Sequence, residues 1–320
     1  MSLENLQSKN LSPSSLKLYL SNLSRLNNGE DIKNFSFLKP VDKIMEKIAH
    51  YKPNTQRTYI ISIVSLLKQE PKLSSLYDKY YQILIKFNTM LKTNTEKSTT
   101  QTENWISQSE VKQLFDEKLE SVNNSIGKLK KLSEPIYLEL LNFVILAVYV
   151  LQSPRRNLDY LYMLVIPQYS ETESKKFNYL SIGDGTFYFN NFKTAKTYKT
   201  QSVPIAPELF TIIKKYLSFH PNKLLLKTKN YKFPFLVDYH GQPFDNTNTI
   251  TRSLNKTFGK KIGCSMLRNI YLTDKFSPKV QELNQDVANM GTSVNTSLNN
   301  YIKIDPVNSN KKITIVDDTI

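Results

Sequence analysis

Cysteine occurs once in the 320 residues, at Cys264, and histidine three times, at His50, His220 and His240. One cysteine excludes a disulfide framework and a cysteine-based zinc site, and three scattered histidines are too few for a histidine-rich metal centre. Glycine (8) and proline (14) are also sparse, which excludes a low-complexity or collagen-like chain. The longest apolar run, FVILAVYVL at 143–151, is far short of a bilayer span. The opening MSLENLQSKN has no apolar stretch of the secretory kind. With 40% apolar residues the chain can bury a sizeable core, and its length suits two domains or one large one. A soluble intracellular protein is expected.

Arginine is the other scarce residue: there are six, Arg25, Arg57, Arg155, Arg156, Arg252 and Arg268, against 37 lysines. Where lysine is the default cation, a remaining arginine marks a place that needs a planar, bidentate fork. The net charge is +15 and is uneven. Residues 1–100 carry +7, residues 101–150 carry −2 and residues 151–300 carry +10. Two basic stretches around a slightly acidic one suggest two surfaces that meet a polyanion, nucleic acid first among them. The same lysine, asparagine, tyrosine and isoleucine richness also fits a solvated surface encoded by an AT-rich genome.

The periodicity predicts a mainly α chain with a small β element, an α+β fold. Residues 1–92 read as a four-helix unit. Ser12-Pro13 supplies an N-cap and a first-turn proline, and further helices fall at 41–50, from 54 or 55 onward, and at 73–91. Residues 93–104 are polar throughout and read as a linker. A second domain covers 105–304, followed by a tail at 305–320 that contains the β-prone Ile313-Thr-Ile-Val316. In that domain helices are expected at 107–122 and 135–151. A hairpin at 179–190 turns on Gly183-Asp184-Gly185, and a third strand lies at 201–205. Helices then follow at 207–219, 247–260, 263–275, 279–290 and 294–303.

Three segments carry chemistry. Ser153-Pro-Arg-Arg-Asn-Leu-Asp-Tyr160 follows a buried helix. Phe192-Lys193-Thr194-Ala195-Lys196 follows the hairpin. Ser265-Met-Leu-Arg268-Asn-Ile-Tyr-Leu-Thr273 precedes Met290-Gly-Thr-Ser293 and Tyr301. Two arginines can hold the two non-bridging oxygens of one phosphate. A lysine can protonate a departing oxygen, and a tyrosine can attack phosphorus and be held as an ester.

In that order and spacing the segments resemble the tyrosine recombinases, the phage-integrase family, over about residues 107–304. Arg156-Asn-Leu-Asp159 resembles the first arginine box with its acid at +3; Arg155 would put that acid at +4, and Arg156 is preferred. Lys193-Thr194 ahead of Ser202-Val-Pro-Ile205 resembles the hairpin lysine. Ser265-Met-Leu-Arg268 resembles the second box, and Met290-Gly-Thr292-Ser293 with Tyr301 nine residues after Thr292 resembles the family's final motif. Residues 1–92 are similar to its helical core-binding domain. The resemblance implies a DNA integrase or recombinase with Tyr301 as nucleophile, Arg156 and Arg268 on the phosphate and Lys193 as acid. Ser265 stands where the family has a base, and Thr292 where it has a hydrogen-bond donor. It implies DNA contacts from Lys17, Thr55, Arg57, Lys196, Lys199 and Arg252, a tetramer on two duplexes, and no cofactor or metal. It also suggests a mobile genetic element or a large DNA virus or virophage as source. Two other readings stand beside it: a type IB topoisomerase, and a non-catalytic DNA-binding descendant, the latter because of Ser265 and Thr292.

Overall fold

The computed structural model describes residues 11–303 except Gln69 and residues 93–95. The expected tail at 305–320, with Ile313–Val316, lies outside the described residues. The chain divides into two compact units between residues 97 and 98, each with its own apolar core. Among the described residues no helix is long and apolar enough to cross a membrane.

The first unit packs helices α1 (Pro13–Leu26), α2 (Val41–Ile48), α3 (Pro53–Leu67) and α4 (Ser74–Lys92). Ser12 caps α1 by accepting the Ser15 N–H, and Pro13 sits in the first turn, where its missing N–H costs nothing. Leu23, Leu38, Ile60 and Ile63 are fully buried. Tyr80 is buried among them and donates its hydroxyl to the Leu38 carbonyl at 2.8 Å. Buried Asn22 and Ser62 satisfy each other, Asn22 donating to Ser62 at 3.0 Å.

The second unit begins with a short helix, α5 (Thr99–Asn104), inside the stretch read as a linker. Polarity suggested a loop, but Ser98 and Gln101 form a reciprocal capping box that satisfies two orphan donors of a first turn. Asn104 then accepts the Lys261 N–H at 2.8 Å, which ties this helix to the domain that follows it. A second capping box, Ser107 with Glu110, starts α6 (Gln108–Ile126). Next comes α7 (Glu134–Val150), whose second half is apolar on every side and buried from Phe143 to Tyr149, as a helical stretch without a polar face must be. Each such side chain contributes roughly 1.5–3 kcal/mol over leaving it in water.

A short helix, α8 (Asn157–Leu161), leads into a five-stranded sheet of order β4-β3-β2-β1-β5. Its strands are β1 (Leu164–Ile166), β2 (Tyr179–Ser181), β3 (Thr186–Phe189), β4 (Gln201–Pro204) and β5 (Phe233–Pro234). The hairpin β2–β3 and the third strand β4 match the sequence expectation, with Leu180 opposite Phe187 and Phe187 opposite Val203. Two strands escaped it. β1 runs parallel to β2 and β5 pairs antiparallel with β1, and at three and two residues they are too short to show a period. A one-turn helix, α9 (Ala195–Tyr198), sits between β3 and β4.

Then follow α10 (Pro207–Phe219), α11 (Thr247–Phe258), α12 (Cys264–Asn289), α13 (Val294–Thr296) and a π-type turn, Ser297–Tyr301. The helices expected at 263–275 and 279–290 are one 26-residue helix with Pro278 inside it. A proline normally ends a helix because it lacks the N–H for its i−4 partner. Here the helix continues through that lost bond.

His220, just after α10, is completely buried against Tyr216 and Phe233. Its Nδ1 accepts the Asn222 N–H at 3.0 Å, so the neutral ring carries its proton on Nε2. Burial pushes its pKa down from 6.5 to about 4. A depressed folded-state pKa means that the unfolded chain binds the proton first as pH falls. Stability is therefore full above pH 6.5 and is lost on the way down to 4. Between pH 7 and 4.5 the wild type should lose about 2–3 kcal/mol more than His220→Gln, on the scale of 1.36 kcal/mol per pKa unit. Urea unfolding at the two pH values checks this; equal losses would contradict it.

Candidate active site

The loop Ser153-Pro-Arg-Arg joins the buried end of α7 to α8, and it is held from below. Tyr149 of α7 donates its hydroxyl to Asn157 Oδ1 at 2.7 Å. Asn157 Nδ2 reaches the Thr247 carbonyl at 3.1 Å and Thr251 Oγ1 at 2.9 Å on α11. Tyr160, buried at the other end of α8, packs edge-on against Tyr149, Phe187 and Phe189. The loop thus sits on rigid elements from three parts of the chain.

The two neighbouring arginines have different jobs. Arg155 donates to Asp159 Oδ2 at 2.8 Å and to Gln201 at 2.9 Å, and its guanidinium lies 3.7 Å over the Phe189 ring. Asp159 is buried, and burial pushes its carboxyl up against the opposing pull of Arg155 and Arg156. The acid three residues after Arg156 therefore pairs with Arg155, which reaches it from the loop ahead of α8, where the extended Arg156 backbone sets the two arginines apart. Arg156 is the N-terminal flank of α8, and its guanidinium makes no hydrogen bond among the described residues.

Arg155 and Arg156 line a cavity of about 770 Å³ together with Arg268 from the first turns of α12. Ser153, Thr194, Tyr198 and Gln201 add polar groups to it, and Phe187 and Phe189 form part of its wall. Among the described residues Asp159 is the only carboxylate in the lining, and Arg155 pairs with it. The cavity is left with two unneutralised arginines, which suits a singly charged phosphodiester. Among the described residues no group of acidic, histidine or cysteine side chains could hold a metal ion.

The hairpin is tied to the same node. Buried Asn178 donates to the Asp159 carbonyl at 2.8 Å and accepts the N–H groups of Asn190 and Asn191, each at 2.8 Å. Those residues lead directly into Lys193. Lys193 itself is exposed, and its neighbour Thr194 lines the cavity.

Not every expected residue gathers there. Ser265, in the first turn of α12, is exposed and does not line the cavity. Thr292 follows the far end of α12, its N–H bound to the Val287 carbonyl at 2.9 Å. Tyr301 is 61% exposed and likewise outside the lining. The continuous α12 is the reason: at 1.5 Å per residue it places Asn289 about 30 Å along the axis from Arg268.

Among the expected DNA contacts, Lys17 and Thr55 are exposed on the first unit, and Lys196, Lys199 and Arg252 on the second. Arg57 is engaged internally, its Nε donating to Asn88 of α4. Cys264 is half-buried against the core, while His240 is exposed, its N–H donating to Asp238.

One more group stands at the site, the tyrosine next in line as nucleophile should Tyr301 not serve. Tyr271 lies beside Arg268, its hydroxyl 3.1 Å from Ser153 Oγ and 3.1 Å from Lys275 Nζ. These two partners pull the phenol below its usual pKa. The signal was in the sequence: Arg268, Tyr271 and Lys275 follow i, i+3, i+7, one face of a helix.

No family model matches the chain, and no curated protein matches it. Solved structures that align with it over nearly its whole length include the following two. One is a XerA recombinase, 14% identical, covering 95% of this chain and 92% of that one, with a TM-score of 0.35. The other is a lambda integrase(75–356) dimer bound to a COC' core site, 14% identical, covering 98% and 96%, with a TM-score of 0.43.

The division of labour between the two arginines has a direct consequence for stability. Asp159→Ala leaves the partly buried Arg155 guanidinium without its ion-pair partner and should cost about 2–3 kcal/mol. Arg156→Ala breaks no hydrogen bond and should stay within about 1 kcal/mol of wild type. Urea unfolding of both variants measures the contrast, and similar losses would show the assignment to be wrong.

Proposed function

We propose that the protein cuts and rejoins duplex DNA through a tyrosine–phosphate ester, as a site-specific integrase or recombinase. The observation that carries this is the convergence of Arg156 and Arg268, 112 positions apart in sequence, in one cavity whose only carboxylate is already paired. In this reading the two guanidinium groups hold the non-bridging oxygens of the scissile phosphate and stabilise the charge that builds up on them. The Tyr301 oxygen bonds to phosphorus, and the bond from phosphorus to the 5′ oxygen breaks. Lys193 gives that oxygen a proton, the phenolic proton passes to solvent, and Thr292 donates a hydrogen bond to the phosphate. Attack by the freed 5′ hydroxyl on the same ester reverses the step, so the bond is conserved without a nucleotide or a metal.

Tyr301 has to come to the cavity, from its own chain or from a neighbouring copy. Pro278 is the natural place for α12 to bend, because one helical hydrogen bond is already missing there. Phe276, Val280, Met290 and Leu298, on both sides of it, are exposed, so a bend sacrifices little of their packing. Lys17, Thr55, Lys196, Lys199 and Arg252 would contact DNA phosphates, and four copies would assemble on two duplexes. A second reading, a DNA-binding protein that no longer cuts, is favoured by Ser265 and Tyr301 lying outside the cavity.

Single-turnover cleavage of a nicked suicide duplex separates the two. Tyr301→Phe should bind DNA and form no denaturation-resistant adduct. Arg268→Ala should lower the cleavage rate about 10²–10³-fold, the scale of one oxyanion donor. Arg268→Lys should recover little of it, since an ammonium cannot grip two oxygens as a fork does. Wild type that binds duplex and never forms the adduct would establish the second reading.

A further inference from the structure

Beside the main cavity lies a second one, of about 280 Å³, and the two share Ser153, Pro154 and Arg268. Its remaining walls come from α12: Tyr271, Leu272, Lys275 and Phe276. All its charged side chains are cations, and no carboxylate lines it. The Tyr271 hydroxyl is fixed between Ser153 Oγ and Lys275 Nζ, each at 3.1 Å, which holds three polar groups together at one end of the space. Arg268 makes no hydrogen bond among the described residues, and its guanidinium belongs to both cavities. An ammonium, a guanidinium and two hydroxyls form a donor set for a tetrahedral oxyanion. The aliphatic and aromatic walls from Leu272 and Phe276 suit the sugar that would separate two such anions.

We propose that this second cavity is a subsite for a second backbone phosphate of the bound strand, next to the one held in the main cavity, with Lys275 as its cation and Tyr271 as its hydroxyl donor. The proposal rests on the reading that the ligand is DNA. It assigns Tyr271 and Lys275 a role that neither the arginine boxes nor the nucleophile motif includes. Arg268 then bridges two neighbouring phosphates, which fixes the register of the strand across the cavities as well as holding charge. Tyr271 is a positioning residue in this account, since its oxygen contacts the neighbouring phosphate and not the reacting one.

The test uses the full chain with tyrosine labelled with ¹³C at Cζ, and Tyr271→Phe to assign the Tyr271 resonance. A 20-base-pair AT-rich duplex is the probe. An anion seated beside the phenol disfavours the phenolate, so the Tyr271 titration should move upward by at least half a pH unit when the duplex is bound. Independently, Lys275→Met, a change at an exposed helix position, should lower the slope of log K against log salt by about 0.9, the share of one phosphate contact. Duplex binding that leaves the Tyr271 titration and the Lys275→Met salt slope unchanged would overturn the subsite and leave the DNA reading standing. If wild type binds no duplex even at about 50 mM salt, where phosphate contacts are strongest, the DNA reading fails and the subsite fails with it.

Discussion

The site depends on one buried carboxylate. Asp159 draws Arg155 into the floor of the cavity, where the guanidinium also lies on Phe189 and binds Gln201 of β4. Its backbone carbonyl accepts from Asn178, which in turn holds the N–H groups at the exit of β3. A loop, a sheet and a hairpin therefore meet at one residue. Burying a carboxylate is costly, and the upward push on its pKa is the sign of that cost. The ion pair and the ring beneath it offset the cost in place. Once Arg155 is committed to this structural task, Arg156 projects into the cavity unpaired, and the order of two adjacent arginines acquires meaning.

The same constraint explains what could be read in the sequence and what could not. Caps, first-turn prolines and apolar periods act over a few residues, so the limits of α1, α3, α7 and α10 were legible to within a few positions. The hairpin was legible from Gly183-Asp184-Gly185. The acid's partner was not, because Arg155 and Arg156 differ by one position and only the folded loop, in which Arg155 also reaches Gln201 and Phe189, selects between them. β1 and β5 depend on each other and on β2, and a two-residue strand has no pattern of its own. The capping box of α5 was present in Ser98 and Gln101, but its polar surroundings suggested a linker.

Pro278 presents the opposite case. Local rules end a helix before it, and on that ground two helices were expected. The structure carries a single helix through it, and this one difference decides where Thr292 and Tyr301 lie. Arg268, at the start of that helix, is fixed by the buried Met266, Leu267 and Ile270 around it. The residues after Pro278 have far less to hold them, with Val287 and Ser297 the buried positions and long apolar side chains left in solvent. One end of α12 is thus core and the other is weakly anchored surface. In the proposed reaction this asymmetry matters: phosphate-binding groups must be preorganised, since charge stabilisation works only if donors need not move. A nucleophile that forms a covalent bond can be delivered after DNA is bound. In that reading a rigid arginine cavity, with the tyrosine beyond the less anchored half of α12, would keep the reactive group away from the phosphate until that half bends, and Pro278 marks where the bend costs least.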